Sequence, residues 1–191
     1  MRKISPSIYG REAARLAHDI IGAVLVHRIC GKEYRARIVE TEAYVGPHDL
    51  ASHSSKGRTK RTEVMFGPAG HAYVYLIYGM YTMFNIVSGP AGSGQAVLIR
   101  AAEPLHDWKV DLSGPGKLTR AFKITLLHNG VDLTTDKLFL LRDPDYRPQI
   151  KRTRRIGVDY AKEWKDALLR FVDTKSAAVS GHRIKKTERN S

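Results

Sequence analysis

The order of hydrophobic and polar residues along the first quarter of the chain predicts one helix followed by two strands. Apolar side chains recur at helical spacing over residues 11–21, and Gly22 is expected to end that helix. Residues 23–29 are apolar and rich in β-branched side chains, and residues 35–45 read in the same way. The chain therefore begins with a short amphipathic helix and then enters a sheet.

Strand patterns also dominate the rest of the chain. The segment 71–88 predicts a β-hairpin folded about Gly79. Further strands are predicted at 95–102, 137–142 and, as a basic edge, 151–158, and helices at 114–123 and 162–171. Because regular βαβ alternation is missing, the sequence predicts an α+β fold. We expect a single compact domain around a largely antiparallel sheet, with a protruding hairpin and flanking helices.

A change of composition near residue 174 sets the predicted boundary of this domain. Residues 1–173 contain no repeat and no strong linker, so we expect them to form one domain. Residues 174–191 are polar and basic, which predicts a flexible C-terminal tail.

The net charge of the chain indicates which kind of partner it binds. The chain has 32 Lys and Arg against 19 Asp and Glu, a formal net charge of +13. This excess favours a polyanion, with nucleic acid ahead of an anionic membrane, over a merely basic surface. Cys30 is the only cysteine, which excludes an internal disulfide and a cysteine-based zinc site. No signal peptide or long apolar run is present, so we expect a soluble intracellular protein.

Two glutamates lie within the second predicted strand. A regular strand places four side chains on one face, those of Ile38, Glu40, Glu42 and Tyr44. Burying a carboxylate is costly unless it has a partner. Either this face is solvated, or one glutamate is a general base that activates water, and spacing alone leaves both interpretations open.

Two histidines follow in the segment HDLASH, which spans His48–His53. Histidines and carboxylates are the ligands of hydrolytic metal sites, so a metal-dependent nuclease is one alternative function. The spacing matches neither HExxH nor another metal-binding motif with a known geometry. The sequence therefore favours the absence of a metal.

Tyrosines are concentrated in the predicted hairpin. Tyr73 and Tyr75 share a strand face, and we interpret Tyr73 and Tyr81 as ordinary packing residues. Tyr78 and Met80 flank the glycine at the tip, where side chains are exposed. An exposed aromatic residue in a basic protein can act as a wedge between base pairs. A non-catalytic DNA-bending module is therefore a second alternative.

A glycine-rich segment, Ser113–Phe122, invites a comparison with phosphate-binding loops. It fails the Walker A pattern, because Gly116-Lys117 is followed by leucine. A glycine-rich turn that opens a helix can still present backbone N–H groups to a phosphate. With Lys117 and Arg120 nearby, contact with a DNA backbone is favoured over nucleotide binding.

Four blocks of the sequence closely resemble the alkyladenine (3-methyladenine) DNA glycosylase family. They are RIVETEAYVGP, HAYVYLIYGMYTMFNIVS, VLIRAAEP and GPGKL, and the similar region runs from about residue 6 to about residue 172, with RIGVDYAKEW near its end. The resemblance implies a compact domain around a curved antiparallel sheet. It also implies a base-excision-repair enzyme that flips damaged purines out of duplex DNA and hydrolyses the N-glycosidic bond. The lesions implied are 3-methyladenine and 7-methylguanine, with hypoxanthine and ethenoadenine as further candidates.

The resemblance assigns roles to individual residues. Glu42 matches the base that activates the attacking water, and Arg100 matches the arginine that helps to hold this water. Glu40 matches no residue with an assigned role. The residues that match the walls of the base pocket are Tyr44, His53, Tyr75 and Asn85, and those placed at the DNA intercalation point are Tyr78 and Met80.

Partners and cofactors are implied in the same way. No lysine occupies a nucleophile position in the matched motifs, so a monofunctional enzyme without strand-cutting activity is implied, and it needs no metal or organic cofactor. We expect a monomer that binds double-stranded DNA with damaged purines, in the cytoplasm and nucleoid of a bacterium or the nucleus of a eukaryote. The side chains expected on the DNA backbone are Arg58, Lys60, Arg61, Lys117, Arg120 and the basic residues of 151–155.

Overall fold

A computed structural model describes residues 1–181 of the chain. The α-helices are α1 (Pro6–Tyr9), α2 (Ala13–Asp19) and α3 (Pro115–Ala121). The strands are β1 (Arg2–Lys3), β2 (Val24–Ile29), β3 (Lys32–Tyr44), β4 (Ala72–Ile77), β5 (Tyr81–Ser88), β6 (Gln95–Pro104), β7 (Leu138–Arg142), β8 (Ile150–Thr153) and β9 (Arg170–Asp173). Short 3₁₀ helices lie at His53–Lys56, Glu63–Phe66, Leu126–His128 and Lys162–Asp166. Within the described range, no helix is long and apolar enough to cross a membrane.

The strands form one antiparallel sheet in the order β1-β7-β2-β3-β6-β5-β4. Strand β3 is long because three neighbours share it: β6 pairs along most of its length, β2 with residues 32–37 and β9 with residues 40–42. The α+β class, the single domain, the hairpin and the flanking helices are confirmed. The sheet is open and uncurled, whereas the resemblance implied a curved one.

The main core lies where α2 and α3 pack on one face of this sheet. Leu16 and Ile20 come from α2 and its C-terminal cap, and Leu118 comes from α3. They meet a layer of apolar strand residues that includes Ile38, Ala43, Ile86, Val97 and Ile99. Full burial of a large aliphatic side chain contributes about 1.5–3 kcal/mol, so this layer anchors β3 and β6, the strands that carry the functional candidates.

Strands β3 and β6 each contain one residue that is left out of their pairing. Ile38 pairs with Ala102, Glu40 pairs with Ala101, and Thr41 pairs with Ile99, so Val39 and Arg100 have no cross-strand partner. An unpaired residue shifts the alternation of side chains. Ile38 therefore packs in the main core, on the face opposite Glu42, and the prediction that it shares a face with the two glutamates is wrong.

The predicted helix over 162–171 is also wrong. Only a 3₁₀ turn forms at Lys162–Asp166, and Arg170–Asp173 is the strand β9. Phe171 is aromatic and Val172 is β-branched, and both types favour strands. Strand β9 pairs with Glu40–Glu42 on an edge of β3. Backbone hydrogen bonds to a strand distant in sequence outweigh a local helical pattern.

The packed part of the chain extends beyond the predicted start of the tail. Ser176, Val179 and Ser180 are buried, and the backbone N–H of Ser180 donates to Glu40 at 2.6 Å. Residues 174–181 therefore do not form a frayed segment, because they cover the buried face of β3. The remainder of the predicted tail, residues 182–191, lies outside the described residues.

Candidate active site

A cavity of about 360 Å³ opens between the β4–β5 hairpin, β6 and the segment 156–160. Its walls include seven aromatic residues, Tyr44, His53, Tyr73, Tyr75, Tyr78, Tyr81 and Tyr160. Asn85 and Arg100 supply polar groups, and Met65, Met83, Leu98, Ile156 and Val158 supply apolar ones. A concave apolar pocket with a few convergent polar groups is typical of a ligand site.

Glu42 lies behind the wall of this cavity and is fully buried. One carboxylate oxygen accepts a hydrogen bond from the Ile156 backbone N–H at 2.8 Å. The other accepts from the Tyr44 hydroxyl at 3.0 Å and faces the Arg100 guanidinium at 3.4 Å. Three of its neighbours, Tyr44, Arg100 and Ile156, also line the cavity, so the carboxylate is one layer from the space where a ligand would sit.

The protonation of Glu42 depends on two opposing effects. Burial raises the pKa of Glu42, because an ionised carboxylate is poorly solvated there, and the Arg100 charge works against this increase. Burial and the charge of Glu42 hold the pKa of Tyr44 well above its ordinary value. Tyr44 therefore remains a neutral phenol that donates to the carboxylate.

Arg100 reaches Glu42 because of the irregular pairing between β3 and β6. Its Nη1 lies 3.4 Å from Glu42, and its Nε lies 3.2 Å from Glu40. The side chain is mostly buried, and both carboxylates are fully buried. Arg170 also pairs with Glu40, so two guanidinium groups balance the two buried carboxylates at the back of the cavity.

The aromatic wall has a defined geometry. The rings of His53 and Tyr75 meet edge to face with centroids 4.5 Å apart, and those of Tyr73 and Tyr75 lie 5.3 Å apart. The Arg61 guanidinium stacks over Tyr75 at 5.3 Å on the outside. Such contacts restrict the motion of the rings that form this wall of the cavity.

His53 is uncharged in this environment. Burial, followed by the positive charges of Arg61 and Lys56, lowers the pKa of His53 to about 4. Its Nδ1 is 2.9 Å from the Tyr73 hydroxyl, so one ring nitrogen is engaged with Tyr73. The neutral ring brings no positive charge to the pocket at neutral pH.

Asn85 lines the cavity and is nearly fully buried. Its Nδ2 donates to the backbone carbonyl of Tyr73 at 3.0 Å, and β4–β5 pairing places these two residues opposite each other. This hydrogen bond fixes the orientation of a nearly fully buried amide.

The hairpin tip presents a strained aromatic residue to solvent. Tyr78 is 82% exposed, Met80 is 68% exposed, and the backbone N–H of Met80 donates to Ile77 to close the turn. Tyr78 has φ 52° and Gly79 has φ 69°. A tyrosine in the left-handed region is uncommon, and such strain is concentrated at functional sites.

Comparison with known protein families identifies the family of this chain. A family described as methylpurine-DNA glycosylase matches residues 7–177. The chain belongs to the methylpurine-DNA glycosylase family. Membership makes it a hydrolase that acts on N-glycosyl bonds in DNA.

Bacterial relatives cover nearly the same length. A protein of Legionella pneumophila (strain Lens) named "Putative 3-methyladenine DNA glycosylase" is 52% identical over 174 residues, which are 90% of this chain and 94% of the relative. Proteins with the same name from Anaeromyxobacter sp. (strain Fw109-5) and Desulfitobacterium hafniense (strain Y51) are 48% and 40% identical. These two alignments cover 93% and 94% of this chain, and 92% and 99% of the relatives.

The structure of this glycosylase places the expected DNA-backbone residues on its surface. Arg58, Lys60, Arg61, Lys117 and Arg120 are all exposed. Lys117 pairs with Asp111 at 2.7 Å, which reduces the charge it presents. The groove beside the hairpin is lined by Arg120 and Met80, so α3 and the hairpin tip share one surface.

Arg155 does not belong to that surface. Its side chain is completely buried and donates to Asp49 in a bidentate pair at 2.5 and 2.8 Å. It also donates to the carbonyl of Ala43 at 2.9 Å and stacks on Tyr44 at 4.9 Å. The expectation that Arg155 contacts phosphates is therefore wrong. Strand β8 ends at Thr153, earlier than predicted, because the chain turns inward to make this ion pair.

The residues of the proposed nuclease site do not converge in this glycosylase. Glu40 is bonded to Arg170 and Ser180, while the His48 ring packs against Trp164 at 5.4 Å. Residues 1–181 contain no group of three or more His, Cys, Asp or Glu residues arranged to hold a metal ion.

Part of the pocket wall was not predicted from the sequence. Ile156, Val158 and Tyr160 line the cavity, and the Ile156 N–H bonds to Glu42. These residues lie in the block RIGVDYAKEW, which had been used only to mark the extent of the resemblance. Tyr81, which had been assigned to ordinary packing, is 41% exposed and lines the cavity.

Proposed function

We propose that this glycosylase releases alkylated purines, with 3-methyladenine and 7-methylguanine as its main substrates, from double-stranded DNA. The observation that carries the proposal is a fully buried carboxylate, Glu42, held behind an aromatic cavity of about 360 Å³ by Arg100, Tyr44 and the Ile156 backbone. The names of the bacterial relatives point to the same class of lesion.

Extrusion of the base comes first in this mechanism. A purine inside the duplex is out of reach, and unstacking it costs a few kcal/mol, least for a damaged base. The exposed Tyr78 ring, with Met80 beside it, is suited to fill the vacated space. The flipped base then enters the part of the cavity that is lined by Tyr44, His53 and Tyr75.

Activation of water follows. Ionised Glu42 takes a proton from a water molecule as that water attacks the sugar C1′, and Arg100 helps to hold the water. General base catalysis of this kind contributes roughly 10²–10⁴-fold to the rate. The raised pKa of Glu42 makes it a stronger base than an exposed glutamate.

The electrostatics of the cavity favour cationic purines. An electron-rich aromatic face attracts a cation, and the neutral His53 does not repel one. Alkylation places a positive charge on the purine and makes it a good leaving group. Hypoxanthine and ethenoadenine are neutral and need a proton on the departing base, so we expect their release to be slower.

The product is an abasic site in an uncut strand. Strand cleavage by a glycosylase needs an amine that forms a Schiff base with the sugar. The described residues that line the cavity contain no lysine. We therefore expect a monofunctional hydrolase, and none of the proposed steps uses a cofactor.

The test compares the wild-type enzyme with Glu42→Gln in EDTA, on methylated genomic DNA and on duplexes carrying one hypoxanthine or ethenoadenine. We expect the wild type to release methylpurines and leave alkali-sensitive sites. The variant should be at least roughly 100-fold slower and should bind DNA equally well.

Other outcomes point to other functions. Strand cleavage without alkali treatment that requires a divalent metal would support the nuclease alternative. DNA binding without release of any base by the wild type would support the bending module, in which Tyr78→Ala but not Glu42→Gln abolishes function.

A further inference from the structure

Glu40, two residues before the candidate base, is a second fully buried carboxylate on the same face of β3. It does not line the cavity, so it has no direct part in binding the base or in activating water. A buried carboxylate is costly unless its oxygens have partners. The arrangement of those partners shows what Glu40 does.

Three hydrogen bonds and one further ion pair converge on Glu40. Its Oε1 accepts from Arg170 Nε at 2.6 Å and from the Ser180 hydroxyl at 2.8 Å, and lies 3.2 Å from Arg100 Nε. Its Oε2 accepts from the Ser180 backbone N–H at 2.6 Å. Arg170 also donates to the Ser180 carbonyl at 3.3 Å, which closes the network.

This network determines where the Arg100 guanidinium can point. Nε faces Glu40 and the Ser180 hydroxyl, at 3.2 and 3.3 Å, whereas Nη1 faces Glu42 at 3.4 Å. An arginine side chain has several rotatable bonds, and fixing one edge of its planar guanidinium fixes the other. Contacts at the Nε edge therefore set the distance between Nη1 and the candidate base.

We propose that Glu40, held by Arg170 and Ser180, is a positioning residue that keeps Arg100 beside Glu42. This inference rests on the proposed function, because it assigns Glu40 to the same water-activating site. The segment 174–181 becomes part of the catalytic architecture, although none of its residues lines the cavity.

The packing of the C-terminal segment agrees with this role. Val179 is buried against Val39, Ala101 and Val172, and Val39 is one of the two residues left out of the β3–β6 pairing. This small apolar cluster anchors the segment directly over Glu40. Ser180 follows Val179 directly, so the packing of Val179 places the N–H and the hydroxyl of Ser180 beside the Glu40 carboxylate.

The first test is Glu40→Gln, assayed by single-turnover release of 7-methylguanine from methylated duplex DNA. We expect the rate to fall roughly 10- to 100-fold, as small displacements of catalytic groups do. Binding to a duplex with an abasic-site analogue should be unchanged.

The pH profile separates positioning from simple destabilisation. Charged and titratable groups surround Glu42 on several elements. They are Glu40 and Tyr44 on β3, Tyr75 on β4, Arg100 on β6, Arg170 on β9, and Arg155 and Tyr160 on the loop after β8. Arg100 lowers the pKa of Glu42 more than Glu40 raises it. If Arg100 moves away in Glu40→Gln, the acid limb shifts to higher pH. If Arg100 stays in place, loss of the Glu40 charge shifts the limb to lower pH, which would overturn the proposal.

A double-mutant cycle with Arg100→Met gives an independent result. If Glu40 acts through Arg100, adding Glu40→Gln to Arg100→Met should slow base release by less than twofold further. Additive losses from the two changes would contradict the proposal, since independent sites add.

A milder variant covers the case in which Glu40→Gln does not fold. Ser180→Ala removes the hydroxyl that contacts both Glu40 and Arg100, and we expect a several-fold slower rate with the same direction of pH shift. Ser88→Ala is the control, because Ser88 is a buried serine at the end of β5, outside both the segment 174–181 and the cavity wall. Equal rates for the two serine variants would overturn the proposal. Failure of the wild type to release bases would instead reject the proposed function.

Discussion

At the scale of single residues, burial decides which side chains of the cavity carry charge. Burial raises the pKa of Glu42 and, with nearby cations, lowers that of His53 to about 4. The first effect strengthens a base, and the second keeps a pocket wall neutral. Both follow from the poor solvation of a charge inside a protein.

The acid limb of the pH–rate profile should report Glu42. Only the ionised carboxylate can take a proton from water, so the rate falls as the pH drops through the pKa of Glu42. Because burial raises this pKa above its ordinary value of 4.5, we expect the midpoint of the acid limb above pH 4.5. The measurement is single-turnover release of 7-methylguanine across pH, corrected for spontaneous release.

Arg100→Met provides the comparison for this profile. The Arg100 charge is the largest effect that lowers the pKa of Glu42. Removing it should slow base release and move the midpoint to higher pH. A midpoint that does not move would show that another group controls the acid limb.

At the scale of elements, two connections bring the cavity walls together, and the first is the hairpin turn. Tyr78 adopts φ 52°, which costs a residue with a bulky side chain about 1–2 kcal/mol. The sequence keeps tyrosine at this position despite the strain, which is expected where function and stability compete.

Tyr78→Asn should therefore stabilise the protein and weaken its activity. Asparagine tolerates the left-handed region, so we expect the free energy of unfolding, measured with urea, to rise by about 1 kcal/mol. Release of bases from duplex DNA should be slower, because the wedge is lost. His106→Asn is the control: His106 is exposed with φ 58° and does not line the cavity, so it should stabilise without slowing release. Unchanged activity in Tyr78→Asn would remove the wedge role.

The second connection is the buried ion pair of Asp49 and Arg155. Asp49 also accepts from the backbone N–H groups of Val45 and Ala51, so it organises the loop after β3. Arg155 precedes Ile156, whose N–H bonds to Glu42. The pair therefore ties two distant parts of the chain together around the candidate base.

Removal of one member of this pair should be strongly destabilising. Arg155→Met leaves the Asp49 charge buried without its partner, and we expect a loss of about 3–5 kcal/mol in urea unfolding. Arg154→Met is the matched control, because Arg154 forms an exposed pair with Asp166 at 3.2 Å that contributes at most about 1 kcal/mol. Similar losses in both variants would contradict the burial of Arg155.

At the scale of the whole molecule, the net charge of +13 is a property of many exposed side chains. Lys60 lies on the exposed loop before the hairpin, whereas Arg142 lies in β7, near the opposite edge of the sheet. The hairpin and the cavity mouth define the side that faces DNA in the proposed function.

DNA affinity should fall steeply with salt, and the dependence should come from one side of the molecule. Lys60→Ala is expected to reduce the slope of log Kd against log salt concentration by about 1. Arg142→Ala should leave the slope unchanged. Equal effects of the two variants, measured by fluorescence anisotropy with an undamaged duplex, would show that binding is not confined to the hairpin side.

Much of this molecule was predictable because local patterns and tertiary structure agree. The alternation around Gly79 gave the hairpin, and the apolar runs that contain Val24 and Ile99 gave the central strands. Glu42, Tyr44 and Arg100 were identified by the resemblance of their sequence blocks to a known family, and the structure brings them together. A strand pattern is visible in sequence because side chains alternate with a period of two.

The sequence by itself determined the α+β class and the basic composition, and its resemblance to a known family named the candidates Glu42 and Arg100, since composition, periodicity and family motifs are all read from the order of the residues. The tertiary structure alone decided that Arg170–Asp173 is a strand, that Arg155 is buried, and that Ser180 closes the network around Glu40. Each of these depends on a partner that is more than 100 residues away along the chain. No local pattern records such contacts, because their free energy is gained only when distant strands meet.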